Sequence, residues 1–229
     1  MIRTATLAAT ALVLFTGSAH AQDAGGDWSF GLGAATDNRS KDASKSDGEP
    51  FVWGEAQWSN SSGFFYAGPA FETIKSSTGS DLEVSLVAGI RPQLAGFDLD
   101  ISAEHKWHVD ANPGADDDAW EFTADISRSI GPASARVRVQ HSPDSTGSTE
   151  VWTWVALRGG WDFTNKLKGT AEIGRREQDN SIDYTGWNVG FSYALTDAIE
   201  ADLRWHATDA DVPGEQYKDG LVAGIAFAF

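Results

Sequence analysis

The sequence predicts an all-β fold, namely a single antiparallel up-and-down transmembrane β-barrel of about twelve strands, with short periplasmic turns and longer extracellular loops. Three observations predict it. About twelve segments of roughly ten residues alternate large apolar side chains with small or polar ones. Polar loops and tight turns alternate between those segments. The final segment ends on alternating apolar residues and a terminal Phe229.

That last segment, residues 219–229, is the strongest single pattern in the chain. Leu221, Ile225, Phe227 and Phe229 share one face of a strand, and the other face carries small side chains. A strand that closes a barrel in lipid can expose such a face to acyl chains. The ending also resembles the C-terminal signal by which bacterial outer-membrane barrels are recognised. Barrel-assembly machinery is therefore an expected partner of the stretch from Leu221 to Phe229.

The N-terminus predicts export. Arg3 precedes an apolar run from Ala5 to Phe15, and the stretch from Ser18 to Ala21 has the small residues of a cleavage site. Residues 1–21 are therefore predicted to be a cleaved signal peptide and residues 22–229 the barrel, located in the cell outer membrane. No later stretch has the roughly 18 consecutive apolar residues of a membrane-spanning helix.

Composition narrows the function classes. The chain has 17 basic and 33 acidic residues, a formal net charge of −16, so nucleic acid is not an expected partner. It has no cysteine, which removes disulfides and thiolate chemistry from consideration. Its 10 Trp, 12 Phe and 24 Gly favour a glycine-rich β architecture with aromatic belts.

The strands follow in order from the N-terminus, each predicted by period-two alternation. The predicted segments are 28–34, 50–59, 64–73, 82–90, 97–107, 120–126, 133–139, 151–161, 167–176, 187–195, 199–207 and 219–229. Loops are predicted at 36–48, 74–80, 109–118, 142–149, 177–183 and 208–218, and tight turns at 60–63, 92–96, 130–132, 162–166 and 196–198. Such alternation puts all loops at one end of a barrel and all turns at the other.

The same arrangement predicts two aromatic girdles. The turn end would carry Trp28, Trp58, Phe65, Phe97, Trp161 and Phe229, and the loop end Trp107, Trp120, Trp187 and Trp205. Lipid interfaces select for this distribution, whereas the core of a soluble sandwich has no reason to place aromatic residues at strand ends.

A family resemblance rests on two stretches. The run SKSDGEPFVWGEAQWSNSSGFFYAGPAFET, residues 44–73, resembles the signature of the TorF porin family, and DYTGWNVGFSYAL, residues 183–195, is similar to a later strand of that family. The chain departs from the family pattern at residues 37–40 and lacks the cysteine pair of some members. The resemblance implies an outer-membrane barrel with a pore, and it implies no substrate or site.

Residues opposite the apolar stripes are expected to line the lumen. The pore-lining candidates are Arg136, Arg138, Arg158, Arg176, Arg204, Lys106, Glu104, Asp125, Glu172 and Asp202. Strand parity also brings Asp125 close to Arg136 or Arg138. The predicted function is an outer-membrane porin for passive diffusion of small hydrophilic solutes or ions, surrounded by lipid and lipopolysaccharide.

Two other readings stay open at this stage. Trp152 and Trp154 could face the lumen and stack on a sugar ring, which would fit a closed barrel with a structural or glycan-binding role. A secreted, soluble, lectin-like sandwich is the third class.

Catalytic patterns are weak, so the chain is not expected to be an enzyme and no cofactor or metal is predicted. His105 and His108 lie three residues apart, a spacing that sends their side chains to opposite faces of a strand. His141 lies near Ser142 and Ser145, but no nucleophile elbow or third partner accompanies them.

Overall fold

The computed structural model describes residues 26–229, together with two short paired segments, Ala5–Thr6 and Val13–Leu14. The signal peptide predicted for residues 1–21 therefore lies outside the main described region. Among the described residues, no helix is long and apolar enough to cross a membrane.

Twelve long strands form one closed antiparallel barrel. They are β1 Gly26–Ala35, β2 Phe51–Asn60, β3 Phe65–Thr73, β4 Leu82–Ile90, β5 Phe97–Val109, β6 Asp118–Ile130, β7 Ala133–Ser142, β8 Trp152–Asp162, β9 Leu167–Gln178, β10 Tyr184–Ala194, β11 Ile199–Thr208 and β12 Gly220–Ala228. Each strand pairs with the next, and β12 pairs with β1 through contacts such as Phe227 with Leu32. The predicted fold class is confirmed.

The connections separate into two ends, as predicted. Loops 36–50, 74–81, 110–117, 143–151, 179–183 and 209–219 lie at one end, which we call the loop end. The other end, which we call the turn end, carries the start of β1, the end of β12 and the turns 61–64, 91–96, 131–132, 163–166 and 195–198.

Long and short connections alternate strictly, as predicted, since each loop is longer than the turns on either side of it. Turn 91–96 is the longest of the turns. A short extra strand, Gln93–Leu94, pairs with the start of β5, so the chain reverses only at Ala95 and Gly96, both with positive φ.

Strand parity places apolar side chains outside and polar ones inside. On β8, Val155 and Leu157 are exposed while Trp154 and Ala156 are buried. Outward side chains cannot be buried by the barrel itself, and this wide apolar surface needs an apolar environment.

The aromatic residues lie at the strand ends, as predicted. At the turn end, Trp28 is the register partner of Trp58, and Phe229 stacks on Phe30 with ring centroids 5.7 Å apart. Phe229 also exchanges two backbone hydrogen bonds with Phe30, so β1 holds the end of the chain. At the loop end, Trp120 lies two residues from the start of β6.

Candidate functional site

The loop 36–50, which we call L1, folds into the barrel rather than away from it. Its centre is a small hairpin in which Arg39–Ser40 pairs with Ala43–Ser44. The two tip residues, Lys41 and Asp42, have φ values of 54° and 66°. Two consecutive residues with positive φ form a two-residue hairpin turn. This left-handed backbone conformation costs about 1 kcal/mol for each residue that carries a Cβ. Contacts elsewhere in L1 must offset that cost.

Asp37 organises the inside of L1. Its carboxylate accepts hydrogen bonds from Ser44 Oγ at 2.6 Å and Ser46 Oγ at 2.9 Å, and it forms an ion pair with Arg39. Arg39 Nη1 also donates to the carbonyl of Lys218 in loop 209–219 at 2.7 Å. L1 is thus a structured element with its own buried polar network.

Two lysines of L1 bind carboxylates of the wall. Lys45 forms ion pairs with Glu72 on β3 and Glu83 on β4, the second at 2.9 Å. Burial disfavours the charge of Lys45, but these two carboxylates outweigh that effect and raise its pKa. Lys41 reaches Glu121 on β6 at 3.3 Å. Burial outweighs the attraction of Glu121 and lowers the pKa of Lys41 to about 7.

The tip of L1 also binds the opposite wall. Asp42 Oδ1 accepts hydrogen bonds from Asn188 Nδ2 on β10 at 2.7 Å and from His206 Nδ1 on β11 at 2.8 Å. The hydroxyl of Tyr184 donates to the carbonyl of Lys41 at 2.8 Å. Because β4 and β10 stand six strands apart in a ring of twelve, L1 spans the interior from one side to the other.

The wall formed by β3 to β6 is rich in carboxylates. Lys106 lies 3.3 Å from Glu121, 3.6 Å from Glu104 and 3.7 Å from Glu83. His108, also buried, lies 3.2 Å from Glu83. Lys106 is thus shared by three carboxylates, and two of them also bind a lysine of L1, Glu83 to Lys45 and Glu121 to Lys41. We call this wall the acidic wall.

The wall formed by β7 to β11 is rich in arginine, and we call it the basic wall. Arg138 binds Asp125 with two hydrogen bonds of 2.8 and 2.6 Å, so the predicted ion pair of Asp125 is formed with Arg138. Arg136 binds Glu172 at 2.8 Å and lies 3.7 Å from Asp125. Charge-assisted pairs of this kind leave little free charge on either partner.

Trp152 and Trp154 face the interior but lie under L1. Lys41 Nζ is 4.2 Å and Arg176 Cζ 4.7 Å from the Trp152 ring centroid. Trp154 is 1% exposed and packs near Tyr184, with ring centroids 6.2 Å apart. With L1 docked, neither indole offers an open face to a sugar ring.

A cavity of about 130 Å³ lies between L1 and the walls formed by β1 to β5, β11 and β12. Seven carboxylates, Arg39 and Arg204 line it beside a larger apolar surface that includes Phe51, Phe71 and Val222. Of the ten predicted pore-lining residues, Glu104, Asp202 and Arg204 line this cavity. The other seven lie on inward-facing positions of the wall away from this cavity, and they are Arg136, Arg138, Arg158, Arg176, Lys106, Asp125 and Glu172.

Three histidines on the strands, His105, His108 and His141, lie in different surroundings. His105 lies on the outer face beside Asp118 at 2.7 Å, whereas His108 is buried inside, as the strand spacing predicts. His141 contacts Thr153 at 3.0 Å, while Ser142 faces inward and donates to the carbonyl of Asp144. Among residues 26–229, no group of three His, Asp or Glu side chains could hold a metal ion.

The sequence pattern did not predict that L1 folds into the barrel. Its buried residues have no apolar periodicity, and the available signal was only the run of Asp, Asn and Ser side chains, which suits a self-bonded loop.

Comparison with known proteins identifies the family. Residues 19–224 match the family described as "Bacterial protein of unknown function (Gcw_chp)". The chain belongs to the Gcw_chp family. The resemblance to the TorF family is not confirmed by name, and no curated protein sequence matches this Gcw_chp chain.

Solved structures support the fold of this Gcw_chp member. The KdgM porin has a TM-score of 0.61 at 8% sequence identity, covering 88% of this chain and 99% of that one. The NanC porin gives 0.58 at 8% identity, with 88% and 98% covered. The COG4313 outer membrane channel from Pseudomonas putida F1 gives 0.54 at 12% identity, with 93% and 98% covered. The Gcw_chp chain therefore has the barrel fold of porins and channels.

Proposed function

We propose that this protein is an outer-membrane channel for passive diffusion of small hydrophilic solutes or ions. The observation that carries the proposal is the closed ring of twelve strands with an apolar outer face and a charged interior. A closed barrel satisfies every backbone group of its wall internally, which lipid requires. Charged interiors hold water, and water is the medium through which hydrophilic solutes diffuse.

The location and assembly of the barrel belong to the same proposal. Residues 1–21 act as the cleaved signal peptide and residues 22–229 insert into the outer membrane, in contact with lipid and lipopolysaccharide. The segment from Leu221 to Phe229 is recognised by the barrel-assembly machinery. Two features support this proposal. The outward face of β12 is apolar, and Phe229 stacks on Phe30 where β12 pairs with β1 to close the barrel.

Selection in this channel combines size exclusion with the field of the interior charges, without energy coupling or a cofactor. L1 narrows the interior at the loop end, since it binds walls on opposite sides of the ring. Solutes must therefore pass between L1 and the remaining wall, where the cavity beside β1 and β12 lies.

Planar-bilayer conductance of refolded residues 22–229 tests the channel. Insertion is checked separately by heat-modifiable gel mobility, which distinguishes a folded barrel from an unfolded chain. Discrete conductance steps are expected. An inserted barrel that stays silent at all voltages would contradict the channel.

A closed barrel with a glycan-binding or structural role is the second candidate. The observation that favours it is L1, which crosses the interior and binds walls on opposite sides of the ring, as a plug would. Glycan binding to Trp152 or Trp154 would require L1 to move away from them. Titration of tryptophan fluorescence with oligosaccharides separates the two functions, because saturable quenching without conductance would support binding.

A further inference from the structure

Small residues on two neighbouring strands give the cavity beside L1 its space. Ala35 on β1 and Gly224 and Ala226 on β12 line it, and side chains this short leave room on the inner face of the wall. β1 and β12 are also the strands whose pairing closes the barrel. The cavity is therefore a trough along the closing strands, and in the proposed channel solutes pass along it.

Carboxylates outnumber the cations around this trough. Seven carboxylates line it, and four lysine or arginine side chains of the described region lie within 4 Å of one of them. The ion pairs are Asp37 with Arg39, Asp202 with Arg204, Glu72 and Glu83 with Lys45, and Glu83 and Glu104 with Lys106. His108 also lies near Glu83, at 3.2 Å. Even with His108 counted as charged, the trough has a surplus of negative charge.

Glu200 on β11 is one of the two lining carboxylates that have no such partner. It is 8% exposed and lines the trough, yet no described residue donates a hydrogen bond to its carboxylate or forms an ion pair with it. The hydroxyl of Ser192 on the neighbouring strand donates to Asp202 instead, at 2.9 Å. A carboxylate buried in this way needs water or a mobile cation to compensate its charge.

Glu55 on β2 is the other lining carboxylate without a lysine or arginine of the described region within 4 Å. Arg91 does not compensate it, since its guanidinium is bound by Asp100 and Gln57 at 3.0 Å each. The carboxylate of Glu55 lies over Gly31 on β1, where a Cβ would come within 2.9 Å of Oε1. The glycine therefore leaves room for a charged group at the edge of the trough.

Among the described residues, no unpaired arginine lines the trough. Arg39 and Arg204 line it, and each is bound by a carboxylate of the lining. Arg176 is the arginine of the basic wall that has no carboxylate within 4 Å in the described region, but it does not line the trough. It lies 4.7 Å from the Trp152 ring centroid, and Lys41 of L1 lies 4.2 Å from the same centroid. L1 thus covers this positive charge.

We propose that the trough selects small cations over anions, and that Glu55 and Glu200 are the residues that set this selectivity. The inference rests on the proposed channel function and names its solute class. β2 and β11 flank β1 and β12, so the two carboxylates stand on the two sides of the trough. A cation that enters compensates charges that the protein leaves unpaired, whereas an anion is repelled by them. Because the two carboxylates lie on separate strands, each holds a cation weakly enough for it to leave.

Reversal potentials of the inserted barrel in a KCl gradient at pH 8 test the inference. K⁺ is expected to be about fivefold more permeant than Cl⁻, which corresponds to about 1 kcal/mol, the interaction of two unit charges roughly 4 Å apart in water. Glu55→Gln and Glu200→Gln each remove one charge at nearly unchanged size. Each is expected to lower the permeability ratio, and the double variant is expected to bring it close to one.

The matched control is Glu177→Gln, which removes the same charge from the exposed outer face of β9 and should leave the ratio unchanged. Heat-modifiable gel mobility checks that each variant is folded, and the wild-type ratio tests the selectivity without any variant. A wild-type ratio of one or below would overturn the inference and leave the channel standing. An unchanged ratio in the folded double variant would remove Glu55 and Glu200 from the selectivity. An inserted wild-type barrel without conductance would instead remove the channel function itself.

Discussion

Asp125 shows why single charges matter inside this barrel. Its carboxylate is buried and satisfied by two hydrogen bonds from Arg138, with Arg136 a further 3.7 Å away. Removing one partner of a buried pair leaves the other charge uncompensated, which costs far more than the pair contributes. Arg138 would then face Arg136 with no carboxylate between them.

Asp125→Asn is therefore expected to lower the free energy of unfolding by about 3 kcal/mol. Urea unfolding of the refolded barrel, followed by tryptophan fluorescence, measures the change. The matched control is Asp183→Asn, whose partner Arg175 lies 3.6 Å away in an exposed pair and which should cost close to nothing. Equal midpoints for the two variants would show that the Asp125 pair is not buried as the structure has it.

Lys41 makes the docking of L1 depend on pH. Burial lowers the pKa of the docked Lys41 to about 7, from 10.5 for a free lysine. Between these values the docked loop binds fewer protons than the released loop, so docking is stabilised as the pH rises from 7 to 10.5. Below pH 7 both forms of the loop carry the charge, and this contribution stays constant.

The prediction is that hydrogen exchange in L1, corrected for intrinsic rates, is slower at pH 9 than at pH 6. In Lys41→Met the part of this pH dependence that Lys41 contributes should be lost. An unchanged pH dependence in that variant would assign the effect to other groups.

L1 is also the element whose removal has the clearest expected effect on conduction. Ala35 and Phe51, which flank it, are register partners, so a two-residue Asn-Gly turn can join β1 to β2 directly. Because L1 spans the interior, this replacement of residues 36–50 should raise the single-channel conductance on the order of twofold.

The control replaces loop 143–151 by Asn-Gly, which is possible because Ser142 and Trp152 are also register partners. That loop contacts the neighbouring loop 110–117, where Gly147 N donates to the carbonyl of Asp116 at 2.8 Å, rather than strands on opposite sides of the ring as L1 does, and its removal should leave conductance unchanged. A barrel without L1 that conducts no better than wild type would show that L1 does not limit the path.

Strands and L1 differ in how far the sequence could predict them. Successive side chains of a strand face lipid and lumen in turn, so apolar residues recur at every second position. This local pattern was enough to predict the twelve strands. L1 is held by contacts between distant residues, such as Asp42 with His206, and no local pattern encodes them.

The sequence predicted which charged residues face the interior, but it did not predict how they pair. Parity placed Arg136, Arg138, Arg158 and Arg204 inside, but parity does not say which carboxylate each arginine binds. That distinction depends on partners on other strands, such as Glu172, which binds Arg136 from two strands away.

At the scale of the whole molecule, two surfaces with opposite requirements share every strand. The outer surface carries exposed apolar residues around the ring, including Leu86, Val155 and Leu203. The inner surface carries ion pairs and L1. A strand shifted by one residue would exchange the two surfaces completely, so the apolar exterior fixes the register of the charged interior.

The last prediction follows from the proposal that the outer surface of the barrel faces lipid. Leu157 lies on the outer face in the middle of β8 and is 55% exposed. If that position meets the bilayer centre, Leu157→Arg should destabilise the inserted barrel by about 2–4 kcal/mol. Leu94→Arg is the matched control, because Leu94 is 68% exposed but lies in turn 91–96 at the barrel end, where the expected cost is about 0–1 kcal/mol.

Urea titration of both variants in lipid vesicles measures the difference. A soluble barrel would treat the two exposed positions alike, since water solvates arginine equally well at both. Equal costs would therefore contradict a lipid-facing exterior, and with it the channel. A large cost confined to Leu157 would place the middle of the outer surface in hydrocarbon and leave the interior as the polar route across it.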